Sequence, residues 1–161
     1  MNEQVLQEPG LPRRGLPERG LPELARALLA QVVESWIADP DSDVVYAEQV
    51  EDRLAVRMRQ EVREATTVWF WIGDFSLIAE AYVIPAPTNP AGGNALAAYR
   101  LALVRNQSSF RVNFALDHEG ALVLRGRIPI ERVTASELSY LLAEIYQTVE
   151  SSFRSMVGLV L

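Results

Sequence analysis

Three groups of residues in this sequence have types and spacing that could do chemistry at a single point. The first is the lone histidine, His118, set between Asp117 and Glu119 in "DHEG". An imidazole beside carboxylates could move a proton or hold a metal. A metal, however, needs three or four donors converging on one point, and successive turn residues diverge. Asp, Gly and polar residues are also what a tight turn selects, so His118 reads as a turn residue. The second is the run Asp39, Asp41 and Asp43. It could attract a divalent cation weakly, but it lacks the glycine and distal glutamate of a calcium-binding loop and reads as a solvated loop. The third is "PAGGN", where the pair Gly92-Gly93 precedes Asn94 and a helical stretch. Backbone N–H groups there could meet an anion; the plainer reading is a loop that lets the helix start. No G-x-S-x-G, Walker loop or G-x-G-x-x-G occurs. With no cysteine, thiolate catalysis, disulfides and Cys-based metal sites are excluded together. The expectation is no catalytic residue, no metal and no cofactor.

Aromatic and basic side chains offer binding chemistry instead. In "TTVWFWIG", strand alternation puts Trp69 and Trp71 on the face opposite Val68, Phe70 and Ile72. A core needs only one apolar face. The tryptophans are therefore either covered on both sides or part of an exposed aromatic patch of the kind that marks an interface. The tendency of large aromatics to bury favours the covered case. Arg57, Arg59, Arg111, Arg125 and Arg127 all fall at expected outward strand positions. Their guanidinium groups could line a groove for an acidic peptide or a phosphorylated ligand. The alternative is a solvated face balanced by Glu51, Asp52, Glu61 and Glu64, which the net charge of -6 favours. These two tryptophans and five arginines form the candidate binding set.

The elements that must position these residues follow from periodicity. Pro22 suits the first turn of a helix, and Leu24, Leu28, Val32 and Trp36, supported by Leu29, Val33 and Ile37, make an apolar stripe. "ADPDSD" ends it. Val44 to Ala47 reads as a short strand, and "DRLAVRMRQ" as a strand with Leu54, Val56 and Met58 inward and arginines outward. "TTVWFWIG" and "FSLIAEAYVI" are two further strands around the turn signal Gly73-Asp74. Pro85, Pro87 and Pro90 break any continued pairing. Asn94 to Val104 reads as a second helix ending near Asn106. In "SFRVNFALD", Phe110, Val112, Phe114 and Leu116 alternate inward, and "ALVLRGRI" returns across the "DHEG" turn as a hairpin. Thr134 and Glu137 form a capping box ahead of a long helix carrying Leu138, Leu141, Leu142, Ile145 and Val149. The order α-β-β-β-β-α-β-β-α lacks regular βαβ alternation. The expected class is α+β, an antiparallel sheet with flanking helices.

The 161 residues fit one domain with a core large enough to fold alone. Residues 21–161 are taken as that domain. Residues 1–20 are polar and rich in Pro and Gly, with Gly-Leu-Pro repeated at Gly10, Gly15 and Gly20, and are expected to be loosely ordered or disordered. The negative charge and the sequence pI of about 4.9 disfavour nucleic acid and anionic membranes as partners. No apolar run approaches 18 residues and no signal-peptide pattern appears, so the expectation is a soluble, cytoplasmic protein with no membrane insertion. All 15 basic residues are arginine. With abundant Ala, Leu and Val, that points to a GC-rich bacterial genome. The apolar C-terminus "SMVGLVL" should pack on its own domain or on a second copy.

The stretches "AEAYVIPAP", "ALVRN" and "NFALDHEGALVLRGRIPIERVTASELSYLLAEIYQTVESSF" resemble the YbjN family, especially its actinobacterial members. The landmarks are Asn106, Phe114, Leu116, Asp117, Gly120, Ile128 and Pro129, and the likeness runs from about Thr66 to Phe153. The resemblance implies a fold like that of type III secretion chaperones. It supplies no catalytic residue. Family members are often labelled sensory transduction regulators. Together these readings lead to an expected non-enzymatic adaptor, chaperone-like or regulatory, that binds a protein or peptide and forms a homodimer. The alternative is a small-ligand or anion-binding module at Gly93-Asn94.

Overall fold

The computed structural model describes residues 20–160. The repeats at Gly10 and Gly15, and the final Leu161, lie outside the described residues. The elements are α1 (Leu21–Ala38), β1 (Val44–Val50), β2 (Arg53–Arg59), β3 (Ala65–Ile72), β4 (Ser76–Ile84), α2 (Gly93–Asn106), β5 (Val112–Leu116), β6 (Leu122–Pro129), a 3-10 turn (Ile130–Arg132) and α3 (Ala135–Val160). This is the expected α+β order. The first strand is longer than its apolar part suggested, because pairing with β2 carries it to Val50.

All six strands form one antiparallel sheet in the order β1-β2-β3-β4-β6-β5. The first four make a meander of hairpins. The β5–β6 hairpin then enters with β6 against β4, which leaves β1 and β5 as the two edges. The β1–β2 turn holds Glu51 at a φ of 54°, in the left-handed region that disfavours a side chain.

The helices pack on one face of this sheet. Val56, Met58, Val68, Phe70, Leu77, Ala79, Leu124 and Ile128 alternate toward them and are buried, together with Leu29 and Val32 of α1, Ala98 and Ala102 of α2, and Leu138, Leu141, Ile145 and Val149 of α3. Non-directional burial of this kind supplies the main folding drive. Gly126 sits where α3 comes closest to β6: a Cβ there would lie 2.3 Å from Leu141 Cδ1 and 3.2 Å from the Arg111 carbonyl. Only glycine lets the helix approach so near. At the start of α3, the Glu137 N–H donates to Thr134 Oγ1 at 3.1 Å, as the capping box requires. The Glu137 carboxylate does not return to Thr134 but binds Arg111. Met156 is buried, and Val157, Leu159 and Val160 pack on the core, so the described end of the chain rests on its own fold.

Two expected core stripes are corrected. In α1 the buried positions are Ala25, Leu29, Val32 and Val33, while Leu24 and Ile37 are exposed. The sheet lies against a stripe rotated toward Ala25, since alanine allows closer approach than leucine. In β5 only Val112 and Phe114 are buried; Phe110 is 82% exposed and Leu116 51% exposed. Phe110 precedes the short edge strand and Leu116 is its last residue.

Candidate functional site

The opposite face of the sheet carries Trp69 and Trp71, and no helix packs on it among the described residues. Strand register sets its side chains in rows. One row reads Val50, Arg53, Trp71, Ile78 and Arg127 across β1, β2, β3, β4 and β6. The next reads Glu48, Ala55, Trp69, Glu80, Arg125 and Asn113, from one edge to the other. Both tryptophans are half-buried, lying among these neighbours rather than under a helix. The expectation that they are covered on both sides is therefore corrected. They pack laterally because each is wide enough to lean across an adjacent strand. The Arg53 guanidinium lies 4.7 Å over the Trp71 ring, a cation–π contact. Tyr46 and Tyr82 add exposed aromatic surface to the same face. Partial burial, then Asp117 and Glu119, push the Tyr82 hydroxyl above its ordinary range, so it stays a neutral donor.

The five candidate arginines do not form one group. Arg57 and Arg125 point out on this face, each beside a carboxylate: Arg57 lies 3.4 Å from Glu64, and Arg125 Nε donates to Glu80 at 2.7 Å. Arg59 donates to the Ser42 carbonyl at 3.4 Å. Arg127 is exposed in the row of Trp71. Arg111 departs from the expectation. It precedes β5 and turns to α3, where it meets Glu137 at 3.2 Å and lies 4.9 Å and 4.8 Å from the Phe110 and Tyr140 ring centres. The Glu137 hydrogen bond holds its guanidinium above the ordinary range. Pairing with β6 begins only at Val112, so no ladder contact fixes Arg111 on the sheet face. The face thus holds Trp69, Trp71, Arg57, Arg59, Arg125 and Arg127, with Arg111 at a separate corner.

The other chemical candidates resolve to local structure. His118 is exposed in the β5–β6 turn, 3.8 Å from Glu119, and the Asp117 carboxylate accepts the N–H groups of Glu119 and Ala121. Asp39 accepts the Asp41 N–H at 3.0 Å, shaping the loop after α1. Among the described residues no cluster of three or more His, Asp or Glu could hold a metal. The start of α2 borders a shallow hollow lined by Pro87, Thr88, Asn89, Gly92, Gly93 and Asn94, with no arginine on its wall.

Sequence reasoning missed the treatment of the β5 edge. The Glu144 carboxylate of α3 accepts the backbone N–H groups of Phe110, Arg111 and Val112 at 2.8 to 3.2 Å. The Asn106 side chain both accepts the Phe114 N–H at 2.7 Å and donates to its carbonyl at 3.1 Å, as a neighbouring strand would. It also missed Arg63, whose guanidinium donates to Thr66 Oγ1 and to the carbonyls of Val83 and Tyr82, with Phe153 against its face. Burial lowers its pKa from the usual arginine range. No local pattern signals either arrangement, because each joins residues from distant segments.

No protein-family model matches the chain. An uncharacterized protein of Mycobacterium leprae is 33% identical over 107 residues, covering 66% of this chain and 56% of that protein. Uncharacterized proteins of Mycobacterium bovis and Mycobacterium tuberculosis are 30% identical over 88 residues, 55% of this chain and 46% of theirs. The chain thus spans about half the length of the curated relatives it matches. Among solved structures, the Yersinia pestis type III secretion chaperone SycH, crystallised with a stable fragment of YscM2, aligns with a TM-score of 0.47 at 14% identity, over 76% of this chain and 97% of that one. A chain of the HopA1–SchA chaperone–effector complex aligns with a TM-score of 0.44 at 14% identity, over 80% and 92%. Among the described residues no helix is long and apolar enough to cross a membrane.

Proposed function

We propose that this chain is a YbjN-type, non-enzymatic adaptor, chaperone-like or regulatory, that docks a polypeptide segment of a partner protein on the open face of its sheet. Residues 21–161 act as one unit, as a homodimer, in the cytoplasm. The observation that supports this reading is the face itself. Trp69, Trp71, Ile78, Tyr46 and Tyr82 offer apolar surface from three strands, with Arg57, Arg59 and Arg127 around it. Aromatic side chains bury large areas at little entropic cost and dominate binding energy at interfaces. The neighbouring guanidinium groups suit a segment that carries carboxylates. An extended or helical segment laid across the rows would meet tryptophan at its centre and arginine at its rim.

The test is the double variant Trp69→Ala/Trp71→Ala. Loss of a central tryptophan typically costs about 2 kcal/mol or more of binding. The variant should lose the partners that the wild-type chain captures from native extract while keeping its unfolding temperature. Retention of every partner by a folded variant would sink the assignment of this face.

A further inference from the structure

The two edges of the sheet receive unequal treatment. Side chains of Asn106 and Glu144 occupy the outer groups of β5. Among the described residues the backbone of Tyr46–Val50 has no hydrogen-bond partner from beyond the β1–β2 ladder; the Gln49 side chain donates only to the Glu51 carbonyl of the turn. A bulge at Val45 blunts one end of β1, and the five residues after it keep regular register. Val45, Tyr46 and Val50 are exposed, and neither proline nor lysine guards the strand. Native sheets protect such edges or pair them. From this edge inward, on the helix side, a groove of about 260 Å³ runs between α1 and strands β1, β2 and β3; Arg26, Ala30 and Glu34 of α1, Ala47 and Gln49 of β1, Leu54 of β2 and Phe70 of β3 are on its wall.

We propose that a second copy of this chain occupies this edge and groove, β1 against β1 and α1 against α1, about one two-fold axis. The charge pattern carries the choice of occupant. Arg26 and Glu34 are exposed, form no ion pair among the described residues, and stand four positions to either side of Ala30. Antiparallel packing of α1 on its copy, centred on Ala30, sets each Arg26 against Glu34 of the other copy and alanine against alanine, where helices can approach closely. In β1, Tyr46 and Glu48 flank Ala47. Antiparallel pairing centred there sets each Glu48 against Tyr46 of the other copy and never against a second glutamate. Ala30 and Ala47 line one groove, and the proposed axis passes beside both. The sheet becomes continuous through the two copies, and their open faces merge into one surface. The proposal rests on the homodimer part of the functional reading and is independent of the polypeptide part.

Light scattering and sedimentation of the full chain over a dilution series test it. The wild type should weigh twice the 18.0 kDa of one chain. Arg26→Glu and, separately, Tyr46→Glu put like charges together twice per dimer and should weaken association by roughly tenfold or more. Arg26→Glu/Glu34→Arg and Tyr46→Glu/Glu48→Lys should each restore it. All these positions are exposed, and circular dichroism checks that each variant is folded. A wild type that weighs 18.0 kDa, one chain, at every concentration overturns the proposal together with the homodimer. A dimer indifferent to both substitutions places the contact elsewhere, for example on the exposed Leu96 and Leu103 of α2; that overturns this interface and leaves the homodimer standing.

Discussion

At the β5 edge, one carboxylate and one amide hold four backbone N–H groups that would otherwise face outward; at the β1 edge, Tyr46 to Val50 face outward with apolar side chains exposed. The same sheet therefore closes itself on one side and stays pairable on the other. Closure at β5 is an internal matter, written in α2 and α3. The β1 edge has no such internal partner among the described residues. The two ends of one sheet thus differ in kind: one is held by side chains of the chain's own helices, and the other keeps its backbone groups free among the described residues.

The largest expected effect comes from opening the closed edge. Glu144→Ala leaves three N–H groups without their acceptor and should cost about 3 kcal/mol, read as a lower urea midpoint with an unchanged slope. A cost below about 0.5 kcal/mol would erase the contrast between the edges, since it would fall in the range of ordinary surface substitutions. Asn106→Ala should cost less, about 1 kcal/mol, because water can reach Phe114 once the amide is gone. Hydrogen exchange sharpens this case: the Phe114 N–H should lose protection while Leu124, in the next strand, keeps it. The smallest effect lies at the open edge. Glu51→Gly removes a side chain from a left-handed position and should stabilise the β1–β2 hairpin by up to about 1 kcal/mol. A loss of stability there would mean that the Glu51 side chain supports the turn in some other way.

The element order was legible in the sequence because each segment carries its own period: alternation in β2 and β3, apolar positions three and four apart in α3. The facing of Trp69 and Trp71 was legible for the same reason. What covers them was not, since alternation within one strand says nothing of the side on which helices dock. Arg111 was misplaced because β5 begins one residue after it, and strand alternation sets a side chain's direction only inside the ladder. Asn106 stood out as a landmark without a role, for its partner Phe114 lies in another element. Glu144 looks like any polar position on the long helix. Gly126, in contrast, did leave a local trace: a glycine inside "ALVLRGRI" weakens a strand unless something must come close, and α3 does.

The seal on β5 also has an order in time. Asn106 reaches Phe114 across eight residues, while Glu144 reaches Phe110, Arg111 and Val112 across 32 to 34. Shorter loops close at lower entropic cost, so the amide half forms early and the carboxylate half waits for α3. On a ribosome, α3 is the last described element to emerge. Until then β5 is half shut, and its first residues can be taken by the strand of a neighbouring nascent chain. The arrival of one glutamate ends that interval for β5.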